Sequence, residues 1–172
     1  PVPQHILEFT YNLIQEGKLR LNKAENDDLR VTFHDSCNIA RGAGMGQMEG
    51  GQFIIPREVI KAACNHFYDM PQDTIHDATY CCGGGGGLLT DDLMELRVKG
   101  SQPRMEALKR VTEDYGVTNL AAICAICKSQ FSKVLPYYGF TMDQIVSVHQ
   151  LVSNAIVMKG SEQEAELAEE TE

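Results

Sequence analysis

The sequence predicts an α/β fold: a Rossmann-like single domain with a parallel sheet of about four strands flanked by helices. Three observations lead there. Short β-rich runs alternate with stretches of helical periodicity along the chain. At 172 residues, 43% hydrophobic and 23% charged, the chain suits one domain with a real core. Neither an internal repeat nor a linker divides it.

The elements follow in order. Residues 4–18 place Ile6, Leu7, Phe9, Thr10, Leu13 and Ile14 at helical spacing, with Gly17 as a stop. A polar loop through Asn26 precedes a β-rich run over 30–34, and a helix over 56–68 opens on Pro56. A second strand is expected at 78–81. Helices are expected over 90–99, with Asp91 and Asp92 in the first turn, and over 103–115 after a break at Gly100-Ser101-Gln102. A third strand over 119–123, a short helix over 128–135, a fourth strand over 145–148 and a closing helix over 149–158 complete the pattern. Residues 1–159 form the predicted domain, and 160–172 read as an acidic, solvated, disordered tail.

That tail distorts the net charge of −9, since six of the 24 acidic residues fall in the last eleven positions. Without them 18 acids face 15 bases, a mildly acidic body without the basic stripe that nucleic-acid binding needs. No stretch approaches the ~20 apolar residues of a membrane span. The start does not read as a signal peptide. Pro1 in place of Met predicts a trimmed chain.

The chemistry sits in the cysteines. Six are present: Cys37, Cys64, Cys81, Cys82, Cys124 and Cys127. The absence of a signal and the ordinary core composition favour a reducing compartment, where clustered thiols bind metal or do redox work. Cys81 and Cys82 run into five glycines, Gly83 to Gly87. Adjacent Cα atoms lie about 3.8 Å apart and ordinary disulfides want about 5.5 Å, so the pair does not readily bridge itself. Consecutive glycines carry a large entropic cost, so the run is read as backbone, Gly83 and Gly84 first, passing close to a cluster or its substrate. A merely flexible loop is the bland alternative. No acidic ribose partner follows it, which disfavours a dinucleotide site.

Topology gathers these residues. Cys37 follows strand one, Cys81 and Cys82 end strand two, and Cys124 and Cys127 follow strand three. All five then fall at the carboxyl rim, where open α/β sheets place ligands. The pair Cys124-Ala125-Ile126-Cys127 alone divides evenly between redox chemistry and metal binding. Joined to the other three it favours metal. Zinc takes four ligands, and five thiols suit a multi-iron cluster better. Cys64, on a helix away from the rim, reads as an inert buried thiol. His34, Asp35 and His149 fall near the rim and are candidates to orient a ligand, bond a sulfide or move a proton. An ordinary hydrogen-bonded histidine is the commoner outcome. Lys128 and Gln130 are candidates to hold a substrate thiolate. The second glycine-rich stretch, 42–51, is a candidate access loop.

In sequence order, His34-Asp35-Ser36-Cys37, Pro56-Arg57-Glu58-Val59, Cys81-Cys82-Gly83-Gly84 and Cys124-Ala125-Ile126-Cys127 resemble the cysteine-rich CCG domain of heterodisulfide reductases, of the HdrD type. The resemblance covers roughly residues 4–158. The longer strings TFHDSCNIARGA, CCGGGGGLLTDDLM, AAICAICKSQF and VLPYYG look like the carboxyl-terminal part of the DsrK-type subunits of sulfite-reductase-linked membrane complexes.

The resemblance implies a noncubane [4Fe-4S] cluster on Cys37, Cys81, Cys82, Cys124 and Cys127. It also implies reductive cleavage of a disulfide or trisulfide there, with Cys81, Cys82, His34 and His149 as catalytic candidates. The implied substrate is a DsrC-like sulfur-carrier protein. The other subunits of a membrane-bound redox complex would be partners, on the cytoplasmic face of the membrane.

Two features depart from the pattern. The gaps of 43 residues before the cysteine pair and 41 after it are longer than the commoner spacing. Upstream ferredoxin-type cysteine motifs are missing, which implies a fragment. The rival readings are an electron-transfer subunit of another respiratory dehydrogenase and a zinc-stabilised interaction module.

Overall fold

A computed structural model describes residues 4–46 and 51–160. The acidic tail from residue 161 onward and part of the 42–51 glycine stretch lie outside the described residues.

Helix α1 spans Ile6–Gln15, where His5 accepts from the Leu7 N–H at 3.2 Å and caps the first turn. Strands β1 (Val31–Phe33), β2 (Asn119–Ala122) and β3 (Ile145–Ser147) form a parallel sheet in that order. Val31 stands opposite Asn119, and Leu120 opposite Ile145. The strands alternate with α2 (Ile55–Ala63), α3 (Met94–Tyr115), α4 (Ala125–Val134) and α5 (Val148–Ala155). Both faces of the sheet are covered, as a parallel sheet requires. Leu120 and Ala122 point into a core with Met105, Leu108, Val111 and Phe131 from α3 and α4. Val31, Phe33, Ala121 and Val146 point the other way, onto Leu7, Ile60 and Leu151 of α1, α2 and α5. Complete burial of each such leucine or isoleucine contributes about 1.5–3 kcal/mol.

Four expectations are corrected. Residues 78–81 do not pair as a strand. A tight turn over His76–Ala78 precedes them, and the Thr79 hydroxyl donates to the Asp35 carbonyl at 3.0 Å, pinning the segment across the end of β1. The fourth position is instead a single parallel bridge between Phe67 and Val31. Helix α2 accordingly ends at Ala63 rather than 68, because the chain must turn for His66 and Tyr68 to pair with Val31. Helix α3 runs unbroken through Gly100-Ser101-Gln102 with Pro103 inside it. Its buried residues Arg97, Ser101, Arg104, Leu108 and Val111 recur every three or four positions, so one continuous face packs on the core and outweighs the local breakers. Helix α4 starts three residues before the expected position, which puts Cys124 at its cap and Cys127 in its first turn.

Candidate metal centre

The chain folds so that three segments meet at the carboxyl ends of β1 and β2. The β1 ladder continues into His34, whose N–H donates to the Ala121 carbonyl at 2.9 Å. Ser36 then caps a wide helical turn of π type over Cys37–Gly42 by accepting from the Ile39 N–H at 3.3 Å. Such wide turns recur at functional sites. From β2 the chain passes to Cys124, the cap of α4, and to Cys127 in its first turn. Between them comes the Cys81-Cys82-glycine loop, held against α3.

A buried ion pair positions that loop. Arg57 of α2 forks onto both Asp35 oxygens at 2.7 and 2.8 Å and reaches Asp69 at 2.6 Å. The two carboxylates hold its pKa above the ordinary arginine value, against the opposing effect of burial. Asp35 Oδ2 also accepts from the His76 N–H at 3.0 Å. One carboxylate thus ties α2, the end of β1 and the turn leading to Cys81 together.

Cys37, Cys81, Cys82, Cys124 and Cys127 all line one small cavity of about 30 Å³, with Ser36, Asn38, Ile126 and Gly84 to Gly86 around them. The thiols of Cys81 and Cys82 are pushed up to about 12. For Cys81 the main cause is the hydrogen bond with Cys82, and for Cys82 the one with Cys127; burial adds to each. Burial first, and Cys81 second, raise Cys37. A chain of sulfur contacts therefore runs from Cys37 through Cys81 and Cys82 to Cys127. The Gly83 N–H donates to Cys81 Sγ at 3.3 Å.

His34 lies beside Cys82 and Cys127, outside the cavity lining. It is fully buried and packs edge-on against Phe131 at 4.8 Å between centroids. One of its ring nitrogens and the sulfurs of Cys82 and Cys127 lie within 4.8 Å of one another. Neither ring nitrogen has a hydrogen-bond partner among the described residues. Burial, followed by the neighbouring Arg104 charge, holds its pKa well below 6.5, so the ring is neutral. An imidazole with no partner beside five converging thiols is a donor set for a soft metal group. Five sulfur donors exceed what one tetrahedral zinc takes, and they fit a multi-iron cluster.

The remaining candidates are placed as follows. His149 is half-buried, its pKa lowered by burial first and then by the nearby His5 and Lys128, and it does not line the cavity. Lys128 does not line it either. Gln130 is fully buried and accepts from Arg97 Nε at 2.8 Å, so its side chain is committed inside the protein and cannot hold a substrate thiolate. Cys64 caps the end of α2 in the opposite core. Gly83 serves packing as much as chemistry: a Cβ there would lie 2.4 Å from the Arg97 carbonyl, and its φ is +89°. Gly84 is the glycine whose added Cβ would meet the Cys82 sulfur, at 3.4 Å. Sequence reasoning missed Arg97 and Arg104, because the expected break at 100–102 split their common helix face.

No protein-family model matches the chain, and no solved structure gives a significant match. Several curated proteins do. The chain is 45% identical over 154 residues to the Hdr-like menaquinol oxidoreductase iron-sulfur subunit 2 of Archaeoglobus fulgidus, covering 90% of this chain and 26% of that protein. It is 43% identical, over the same shares, to the Hdr-like menaquinol oxidoreductase iron-sulfur subunit of Archaeoglobus profundus. It is 29% identical over 125 residues to one polypeptide of the dihydromethanophenazine:CoB–CoM heterodisulfide reductase of Methanosarcina acetivorans, covering 72% of this chain and 27% of that one. The chain thus spans about a quarter of the length of these relatives. No helix of the described residues is long and apolar enough to cross a membrane.

Proposed function

The chain is a heterodisulfide-reductase-like CCG-domain protein, and from that premise we propose that it carries an iron–sulfur centre at which a protein-borne disulfide or trisulfide is reduced. The observation that carries this reading is the convergence of five thiols on one cavity, with an unpartnered, neutral His34 beside Cys82 and Cys127. Cys37, Cys81, Cys82, Cys124 and Cys127 would hold a noncubane [4Fe-4S] cluster. When bound, that cluster would supply the electrons for splitting a sulfur–sulfur bond. Cleaving one disulfide consumes two electrons and two protons and yields two thiols. His34, buried and neutral beside Cys82 and Cys127, would pass a proton. The glycine backbone at Gly84 to Gly86 leaves the approach open for an incoming sulfur. The names of the relatives suggest a quinol as electron source, reached through other subunits of a membrane complex. The wording shared with DsrK-type subunits suggests a DsrC-like carrier as the substrate, in dissimilatory sulfur metabolism at the cytoplasmic face.

The same relatives are named as quinol oxidoreductase subunits, which favours a second reading, electron relay without a sulfur substrate. Anaerobic iron and acid-labile sulfide analysis of full-length wild type and Cys82→Ser tests the centre itself. The variant should lose about four iron and about four sulfide per chain. Zinc without sulfide in the wild type would overturn the proposal. Electron paramagnetic resonance then separates the two readings: a signal that changes on adding a thiol substrate supports catalysis, and an indifferent one supports relay.

A further inference from the structure

Three arginines are buried in this small domain, and they are not equivalent. Arg57 holds two carboxylates, Asp35 and Asp69. Arg97 donates to Gln130 Oε1 and to the Leu89 and Thr90 carbonyls, has only the exposed Asp91 at 3.6 Å as an ion-pair partner among the described residues, and leaves Nη2 without a partner among them. Arg104 is 0% exposed and makes no ion pair among the described residues. Its Nη2 donates to the Thr74 carbonyl at 2.6 Å and the Thr79 hydroxyl at 2.8 Å, while Nε and Nη1 have no partner there. Asp35 and Asp69, the carboxylates that bear on it electrostatically, are both in the grip of Arg57. Burial pulls its pKa down to about 10, which still leaves it charged at neutral pH.

Both incompletely paired arginines sit on α3 and bracket the cysteine loop. Arg104 is bonded to Thr79 and lies 5.8 Å from the Tyr80 ring centre, immediately before Cys81. The Arg97 carbonyl is where a Gly83 side chain would collide. A buried cation without a counter-ion is expensive unless an anion arrives. A group bound by five thiolates is anionic, and reduction adds another negative charge.

We propose that Arg104, assisted by Arg97, is the built-in counter-charge of the cysteine site, helping to hold the anionic cluster and raising its reduction potential. This inference rests on the cluster reading above. It makes Arg104 a residue that acts through the cluster rather than on substrate. The same charge would favour taking up an electron and disfavour passing it on.

The test uses Arg104→Gln, which removes the charge, and Arg104→Lys, which keeps it, in the anaerobically purified full-length protein. Iron and sulfide content is measured. The midpoint potential is followed by the electron paramagnetic resonance signal that Cys82→Ser abolishes. The glutamine variant is expected to lower the equilibrium constant for reduction about tenfold, about 59 mV for a one-electron couple, with the lysine variant near wild type. A glutamine variant that loses the cluster while the lysine variant keeps it supports the same role. Unchanged potential in a loaded glutamine variant overturns the inference, as do equal shifts or equal cluster loss in both variants. A wild type without iron and sulfide overturns the cluster reading, and this inference with it.

Discussion

At the residue scale, the glycines after Cys82 separate by what surrounds them. Gly83→Ala would place Cβ 2.4 Å from the Arg97 carbonyl and 2.9 Å from the Ser101 nitrogen, at φ +89°. Neither neighbour is a flexible side-chain end, so about 2–4 kcal/mol of stability should be lost. Gly86→Ala has nothing within 4 Å and only its φ of +68° to strain, about 1 kcal/mol. Chemical denaturation of the two variants checks this, and equal losses would refute the packing account of Gly83. His34 makes the second residue-scale prediction. Its folded pKa is well below its ordinary 6.5, so above pH 6.5 neither folded nor unfolded chain holds the proton. Below 6.5 the unfolded chain takes it up and the folded chain does not, so stability falls by about 1.4 kcal/mol per pH unit. In the metal-free protein, His34→Gln should flatten the stability curve below pH 6.5 by about one proton. An unchanged slope would show that the ring is protonated in place.

At the element scale, periodicity made α1, β1, β2 and β3 legible to within a few residues, because their burial patterns are local. Two elements were not legible. Thr79-Tyr80-Cys81-Cys82 has strand-like composition, yet the Thr79 hydroxyl and the Asp35 carbonyl fix it outside the ladder, a contact across 44 residues that no window contains. Helix α3 has breakers at Gly100 and Pro103, but its buried stripe outweighs them. Pro103 is exposed and inside the helix, so Pro103→Ala should stabilise the protein by about 1–2 kcal/mol after allowing for the freer unfolded chain. A loss of stability would mean that the core requires the proline's backbone geometry. The Arg57 clamp is the other element-scale device. Arg57→Met leaves Asp35 buried without its partner, and denaturation should show a loss of about 3–5 kcal/mol. A near-neutral result would mean that Asp35 finds another partner or a proton.

At the scale of the whole molecule, the fold class and the meeting of the five cysteines were legible before the exact strand set was. Placing Cys37, Cys124 and Cys127 at strand ends sufficed to bring them to one rim, and Cys81 and Cys82 arrive there although their strand does not exist. The charge environment was illegible, because Arg57, Arg97 and Arg104 look like surface residues until their partners are known. The two cores also divide the labour. The α1, α2 and α5 side closes on itself, with the buried Asn26 amide donating to the Ala63 and Leu151 carbonyls, both at 2.9 Å. The α3 and α4 side contains Cys82, Cys124 and Cys127 within its core. A metal group binds the folded state in preference to the unfolded one and so stabilises whatever it ties together. Here it would join the turn after β1, the glycine loop and the N-terminus of α4. Removing iron should therefore speed amide exchange at least about tenfold in 37–42, 81–89 and 124–128. The amides of α1 and α5 should change far less. Exchange mass spectrometry before and after chelation gives the map. Uniform acceleration across both cores would mean that the centre supports the whole fold, and no change at the three segments would mean that they hold no metal.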